Sequence, residues 1–156
     1  MNPKTQASWA DEKGSRAERM RLLARATRQE LEAAFSGWEL EAKAHPVRGP
    51  ETGLVMVRGR IGGGGNAFNL GEATVTRATV RLSSGEIGHG QRLGTDQEAA
   101  RLGAIIDALA EQGRLDGRIS VLLEQIRSRV AVEARALEAE TQATRVDFFT
   151  LVRGDD

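Results

Sequence analysis

Glu72-Ala73-Thr74-Val75-Thr76-Arg77-Ala78-Thr79-Val80-Arg81-Leu82, followed by Ser83-Ser84-Gly85, is the stretch on which the fold turns. Ala78, Val80 and Leu82 fall on one side of an extended chain, and Arg77, Thr79 and Arg81 on the other. A period of two predicts a strand with one core face and one face that is wet or meets a partner. Ser83-Ser84-Gly85 supplies a hairpin turn, and Glu86–Leu93 is the returning strand. Upstream, from Trp38 onward, helical spacing disappears and β-branched residues and glycine take over. Leu40–Ala44 and Leu54–Ile61 are the two further strands expected there. The sheet is therefore expected to be antiparallel, with about four strands.

Helices flank this region. Ser15 with Glu18, and Thr27 with Glu30, each set a hydroxyl at an N-cap and a carboxylate three residues on. They predict short helices over about 16–26 and 28–37, burying Met20, Leu23, Leu31, Phe35 and Trp38. After the sheet, Thr95 as cap and Glu98 as its box partner predict a helix over about 96–112, stopped by Gly113. Leu102, Ile105, Ile106 and Leu109 form its apolar stripe. A longer helix is predicted over about 118–144, with Ile119, Leu122, Ile126, Val130, Ala134 and Leu137 at three- and four-residue steps. At 1.5 Å per residue it is roughly 40 Å long, more than so small a domain needs. Such a helix either projects beyond the core or breaks. The fold class is α+β: an antiparallel sheet packed by helices, with a long C-terminal helix and an apolar tail.

The 156 residues suffice for one domain with a substantial core. Residues 1–14 read as a disordered lead, and 15–156 as a single domain. Lys+Arg and Asp+Glu are each 22, for a net charge of zero. That balance argues against nucleic acid or an anionic membrane as the main partner. The chain has no Cys and only two His, so an iron–sulfur cluster on its own cysteines is excluded and no metal site is expected. No apolar run approaches a membrane span and Met1–Gly14 is polar, so a cytoplasmic protein is expected.

Candidate chemistry is thin, and no catalytic residue stands out. Gly62-Gly63-Gly64-Gly65 lacks the lysine of a phosphate loop and reads first as a turn. His89, between Gly88 and Gly90, is a candidate ligand contact, since glycine lets a backbone or substrate approach. His45 reads as surface. Glu51, Glu72 and Asp96 are acids near strand ends, where capping and solvation are the usual roles. Arg77 and Arg81 share one strand face, and Arg58 and Arg60 share a face of a neighbouring strand. Together they form a candidate anion-binding cluster. Arg77 and His89 are thus the ligand-binding candidates.

Arg145-Val146-Asp147-Phe148-Phe149-Thr150-Leu151-Val152-Arg153-Gly154-Asp155 is unusually apolar for a chain end. As a strand it would carry apolar groups on both faces, so one neighbour could not bury it. Arg145, Asp147, Phe148, Phe149, Leu151 and Arg153 are the candidate partner-interface residues.

Several phrases share an order and spacing: Glu51-Thr52-Gly53-Leu54-Val55, Arg60-Ile61-Gly62-Gly63, and Phe68-Asn69-Leu70-Gly71 running into Glu72–Arg77. Gly88-His89, Leu93-Gly94 and Arg145–Asp155 follow. The set resembles the PhnG family, the G subunit of the bacterial carbon–phosphorus lyase system, over about residues 16–156. Gly64 stands where that family often has Thr, and Thr95 where it often has Arg. The resemblance implies a cytoplasmic subunit of a core complex with H, I and J subunits, working with the L protein. In that system phosphonate attacks the ribose C1′ of ATP, adenine leaves, and a ribose 1-phosphonate 5-triphosphate forms. ATP and phosphonate are then substrates of the complex, and this chain carries no cofactor. The I subunit is implied to carry that step, and the J subunit to break the carbon–phosphorus bond with S-adenosylmethionine and an iron–sulfur cluster. Two rival expectations remain from the residues themselves. One is a free-standing phosphate- or nucleotide-handling enzyme built on the arginine face and the Gly62–Gly65 loop. The other is a homo-oligomer sealed by its own tails.

Overall fold

The structure, a computed structural model, describes residues 16–38, 44–60 and 65–144. Its elements in chain order are α1 (Arg16–Arg25), α2 (Arg28–Gly37), β1 (Ala44–Gly59), β2 (Phe68–Leu82), β3 (Ile87–Leu93), α3 (Gln97–Gln112) and α4 (Asp116–Ala143). The strands form one antiparallel sheet in the order β1-β2-β3. Its core face is set by the alternation of β2: Ala78, Val80 and Leu82 are buried, while Arg77 and Arg81 are exposed. The 83–85 turn closes as expected. Leu82 N–H donates to the Glu86 carbonyl at 2.9 Å, and Gly85 adopts φ +111°, a conformation that favours glycine.

Among the described residues there are three strands, not four. The expected Leu40–Ala44 strand is described only at Ala44, where it continues straight into the Leu54 segment as β1. β1 lies at the sheet edge, where a missing N–H costs no ladder bond, and the strand absorbs Pro46, Gly49 and Pro50 as register shifts.

α3 lies directly on the sheet. A Cβ at Gly88 would sit 2.0 Å from the Ala104 carbonyl oxygen, and one at Gly90 2.0 Å from that of Ala100. Both positions must be glycine for the helix to approach this closely. Leu102, Ile105, Ile106 and Leu109 are buried as expected, joined by Ala104 and Ala108. The cap of α3 is Asp96 rather than Thr95: its carboxylate accepts from Ala99 N–H at 3.0 Å. A carboxylate at the N-cap also favours the helix dipole. Glu98 turns to Arg101 instead of closing a box. Gly113 ends the helix in the left-handed conformation.

α2 carries the expected capping box between Thr27 and Glu30. The box expected at Ser15 lies outside the described residues. Leu22, Leu23 and Leu31 are buried, with Phe35 and Trp38 packed against the same core. α4 is unbroken over 28 residues. Ile119, Leu122, Ile126 and Val130 are buried, but Ala134 and Leu137, expected on the same stripe, are exposed. The helix outruns its core: every residue from 131 to 144 is exposed.

Polar ties lock the layers. Asp107 on α3 is fully buried and accepts from Arg16 at 2.8 Å, Arg19 at 2.9 Å and the His89 backbone N–H at 3.0 Å. Three elements converge on one carboxylate. Arg129 on α4 donates to Glu30 at 2.7 Å and to the Arg25 carbonyl at 2.8 Å, tying α4 to the α1–α2 corner. Glu30, and Glu133 beside it, raise the Arg129 guanidinium above its ordinary range.

Candidate functional site

The arginine cluster expected from alternation does not assemble. Arg77 pairs across the sheet with Glu51, while Arg58 pairs with Asn69. Eight residues of extended β2 separate those two positions, about 26 Å. The strand faces were legible in sequence, but the register that separates the pairs was not. Arg77 is neutralised locally: its Nε donates to Glu51 at 2.6 Å, and the same carboxylate takes Arg48 at 2.8 Å. These guanidiniums hold the Glu51 carboxyl below its usual range, Arg77 foremost. A shallow cavity of about 310 Å³ lies here, lined by Glu51, Thr52, Leu54, Arg77 and Gln91 among others.

His89 lies on β3, exposed on the open sheet face, with Nδ1 3.1 Å from the Thr79 hydroxyl. Its flanking glycines do admit a close approach, but the backbone that approaches is that of α3. His45 is exposed on β1, and Glu72 on β2. Asp96 is engaged by the α3 cap and by Arg28, whose Nε lies 3.1 Å away. Gly62–Gly64 and the interface candidates Arg145, Asp147, Phe148, Phe149, Leu151 and Arg153 lie outside the described residues; Gly65 is exposed. No group of acids and histidines able to hold a metal occurs among the described residues, and no helix there is long and apolar enough to cross a membrane.

The larger feature is one that pattern reading passed over. Beyond the last pair of β3, β1 and β2 continue as a two-stranded arm, Leu54–Gly59 against Phe68–Thr74. Six residues of β1 span about 20 Å. Leu54 is 63% exposed, Met56 54% and Leu70 62%; Val55, Val57 and Phe68 are exposed as well. Alternation puts Leu54 and Met56 on one face of the arm and Val55 and Val57 on the other, so both faces are apolar. The signal was present in the sequence: Leu54-Val55-Met56-Val57 is a run of four apolar residues, which a strand with one wet face does not show.

A second exposed element stands at the other extremity. Val132 and Leu137 on the distal half of α4 are 63% and 65% exposed. Leu137 shares one exposed stretch of α4 with Ala134, Glu138, Thr141 and Gln142. Exposed apolar surface in contiguous elements marks sites of association.

Comparison with known proteins gives the chain's relatives. The profile of the family described as "Phosphonate metabolism protein PhnG" matches residues 14–154. The chain is 58% identical over 152 residues to "Alpha-D-ribose 1-methylphosphonate 5-triphosphate synthase subunit PhnG" of Rhizobium meliloti (strain 1021). That alignment covers 96% of this chain and 97% of the relative.

Proposed function

Since the chain belongs to the PhnG family of phosphonate metabolism proteins, we propose that it is a subunit of a synthase making α-D-ribose 1-methylphosphonate 5-triphosphate. In this reading the complex transfers the ribose triphosphate moiety of ATP to an alkylphosphonate, with release of adenine. This chain contributes to assembly, and its partners are the H, I and J subunits, with the L protein acting alongside. The cytoplasm is the proposed compartment. The observation that carries the reading is 58% identity over nearly the full length of a chain whose own name is that of a synthase subunit.

The apolar arm and the distal half of α4 supply the physical means. A two-stranded ribbon with apolar groups on both faces is poorly stable alone in water and gains from being clasped. Arg58 and Arg77, the arginines expected to cluster on the sheet, form no shared anion site, because Arg77 is held by Glu51 and Arg58 lies far along the ribbon.

Reconstitution tests the proposal. The H and I subunits and the L protein, mixed with ATP and methylphosphonate, should release adenine only when this chain is present. Adenine release at the full rate without it would overturn the reading. Turnover by this chain alone would favour the free-standing enzyme.

A further inference from the structure

α1, β3 and α3 enclose a cleft of about 250 Å³ on the helix side of the sheet. Its wall is mainly apolar, with Met20, Leu23 and Ala24 from α1 and Ala99 from α3. Two residues set it apart from ordinary packing.

The first is Arg92. Alternation along β3 puts it on the face that carries Gly88 and Gly90, toward α3. It lines the cleft, and its Nη2 donates to the Ala26 carbonyl at 3.1 Å. Its Nε and Nη1 are buried and have no acceptor. Asp96 lies within electrostatic reach, but its oxygens serve Arg28 and the Ala99 N–H. Buried guanidinium donors in folded proteins are almost always paired, because leaving them unmade forfeits their hydration for nothing. Among the described residues neither donor has an acceptor.

The second is Gly103, which lines the same cleft from the middle of α3. Glycine inside a helix is unfavourable relative to alanine. At Gly88 and Gly90 the close contact with α3 explains the glycine, but at Gly103 nothing does: a Cβ there would meet no atom within 4 Å. The fold does not require this glycine, and what its absent side chain preserves is the cleft.

We propose that this cleft is a binding site for a small oxyanion on a short apolar stem, with Arg92 as its anchor and Gly103 as the residue that keeps it open. With the Arg92 side chain turned into the cleft, a carboxylate, phosphate or phosphonate oxygen supplies the acceptors that Nε and Nη1 lack, and the stem packs on Met20 and Leu23. Two sources share that chemistry: a free small molecule, or a glutamate or aspartate side chain presented by a partner subunit.

Two arms separate the sources. In the first, the full-length chain is titrated with methylphosphonate and, separately, propionate, and the amide resonances of Gly90, Gln91, Arg92 and Gly103 are followed by NMR. A free ligand should move these resonances, and Arg92→Gln should weaken it at least about tenfold. Gly103→Leu should abolish binding while raising the melting temperature, which separates a blocked site from a damaged fold. In the second arm, each variant is co-expressed with the partner subunits. If neither anion binds the free chain, yet both variants fold and drop out of the purified complex, the anion is a partner's side chain. The proposal is overturned if neither anion binds and both variants assemble like wild type, or if Gly103→Leu binds as tightly as wild type. The titration uses no partner, so its outcome is independent of the assembly reading above.

Discussion

Asp107 shows how one side chain can organise this domain. A fully buried carboxylate is tolerable only because Arg16, Arg19 and the His89 N–H surround it. Asp107→Ala should cost about 2–3 kcal/mol in urea unfolding, less than a fully enclosed pair because Arg16 keeps contact with water. Asp96 has a different role, at the surface. Arg28 foremost, then the Ala99 N–H, holds its carboxyl below the usual range. Glu30 is also lowered: burial is the largest single influence and pushes it up, but Arg129 and the Thr27 backbone together outweigh it. Folded-state values below the unfolded ones mean stability that is present above the ordinary carboxylate range, about pH 4, and lost as pH falls through the folded values. Melting curves taken from neutral pH to pH 3 should show that loss. Asp96→Ala should cost about 1 kcal/mol at neutral pH, and the gap from wild type should close in acid. A gap unchanged at low pH would show that the carboxylate's charge is not what matters.

At the scale of elements, what the sequence disclosed and what it hid divide along a physical line. Local signals were readable: the Thr27–Glu30 box, the 83–85 turn, the alternation of β2, the stripe of α3 and the Gly113 stop depend on neighbours within a few residues. What depended on distant partners was not. Gly88 and Gly90 looked like room for a ligand, whereas the occupant is α3, recruited from later in the chain. Gly90→Ala should therefore destabilise by about 2 kcal/mol or more, since helix backbone rather than a flexible side chain stands in the way. A neutral result in thermal melts would mean that α3 can lift from the sheet. Ala134 and Leu137 share the period of the buried α4 residues yet lie exposed, because periodicity records which face is apolar and not how far the core reaches. Arg58 and Arg77 were each placed correctly on strands, but register, a long-range property, keeps them apart.

As a whole molecule, the chain combines a well-buried core with two apolar extremities that this core leaves uncovered: the β1–β2 arm and the far half of α4. The family is one of phosphonate metabolism, and the arm is the proposed grip for a partner. Of the candidate site, the sequence revealed the two strands that carry Arg77 and His89. It did not reveal that the apolar run Leu54–Val57 would stand exposed beyond β3, because that depends on where β3 stops and α3 begins. The central claim is that the arm serves assembly and not folding. Leu54→Thr, Met56→Thr and Leu70→Thr, combined in one chain, keep strand propensity while removing apolar surface. The direct measurement is co-expression of this variant with the H, I and J subunits, alongside the urea midpoint of the isolated chain. The account predicts a stability within about 0.5 kcal/mol of wild type and a chain that no longer co-purifies with the complex. A variant that assembles as fully as wild type would contradict it.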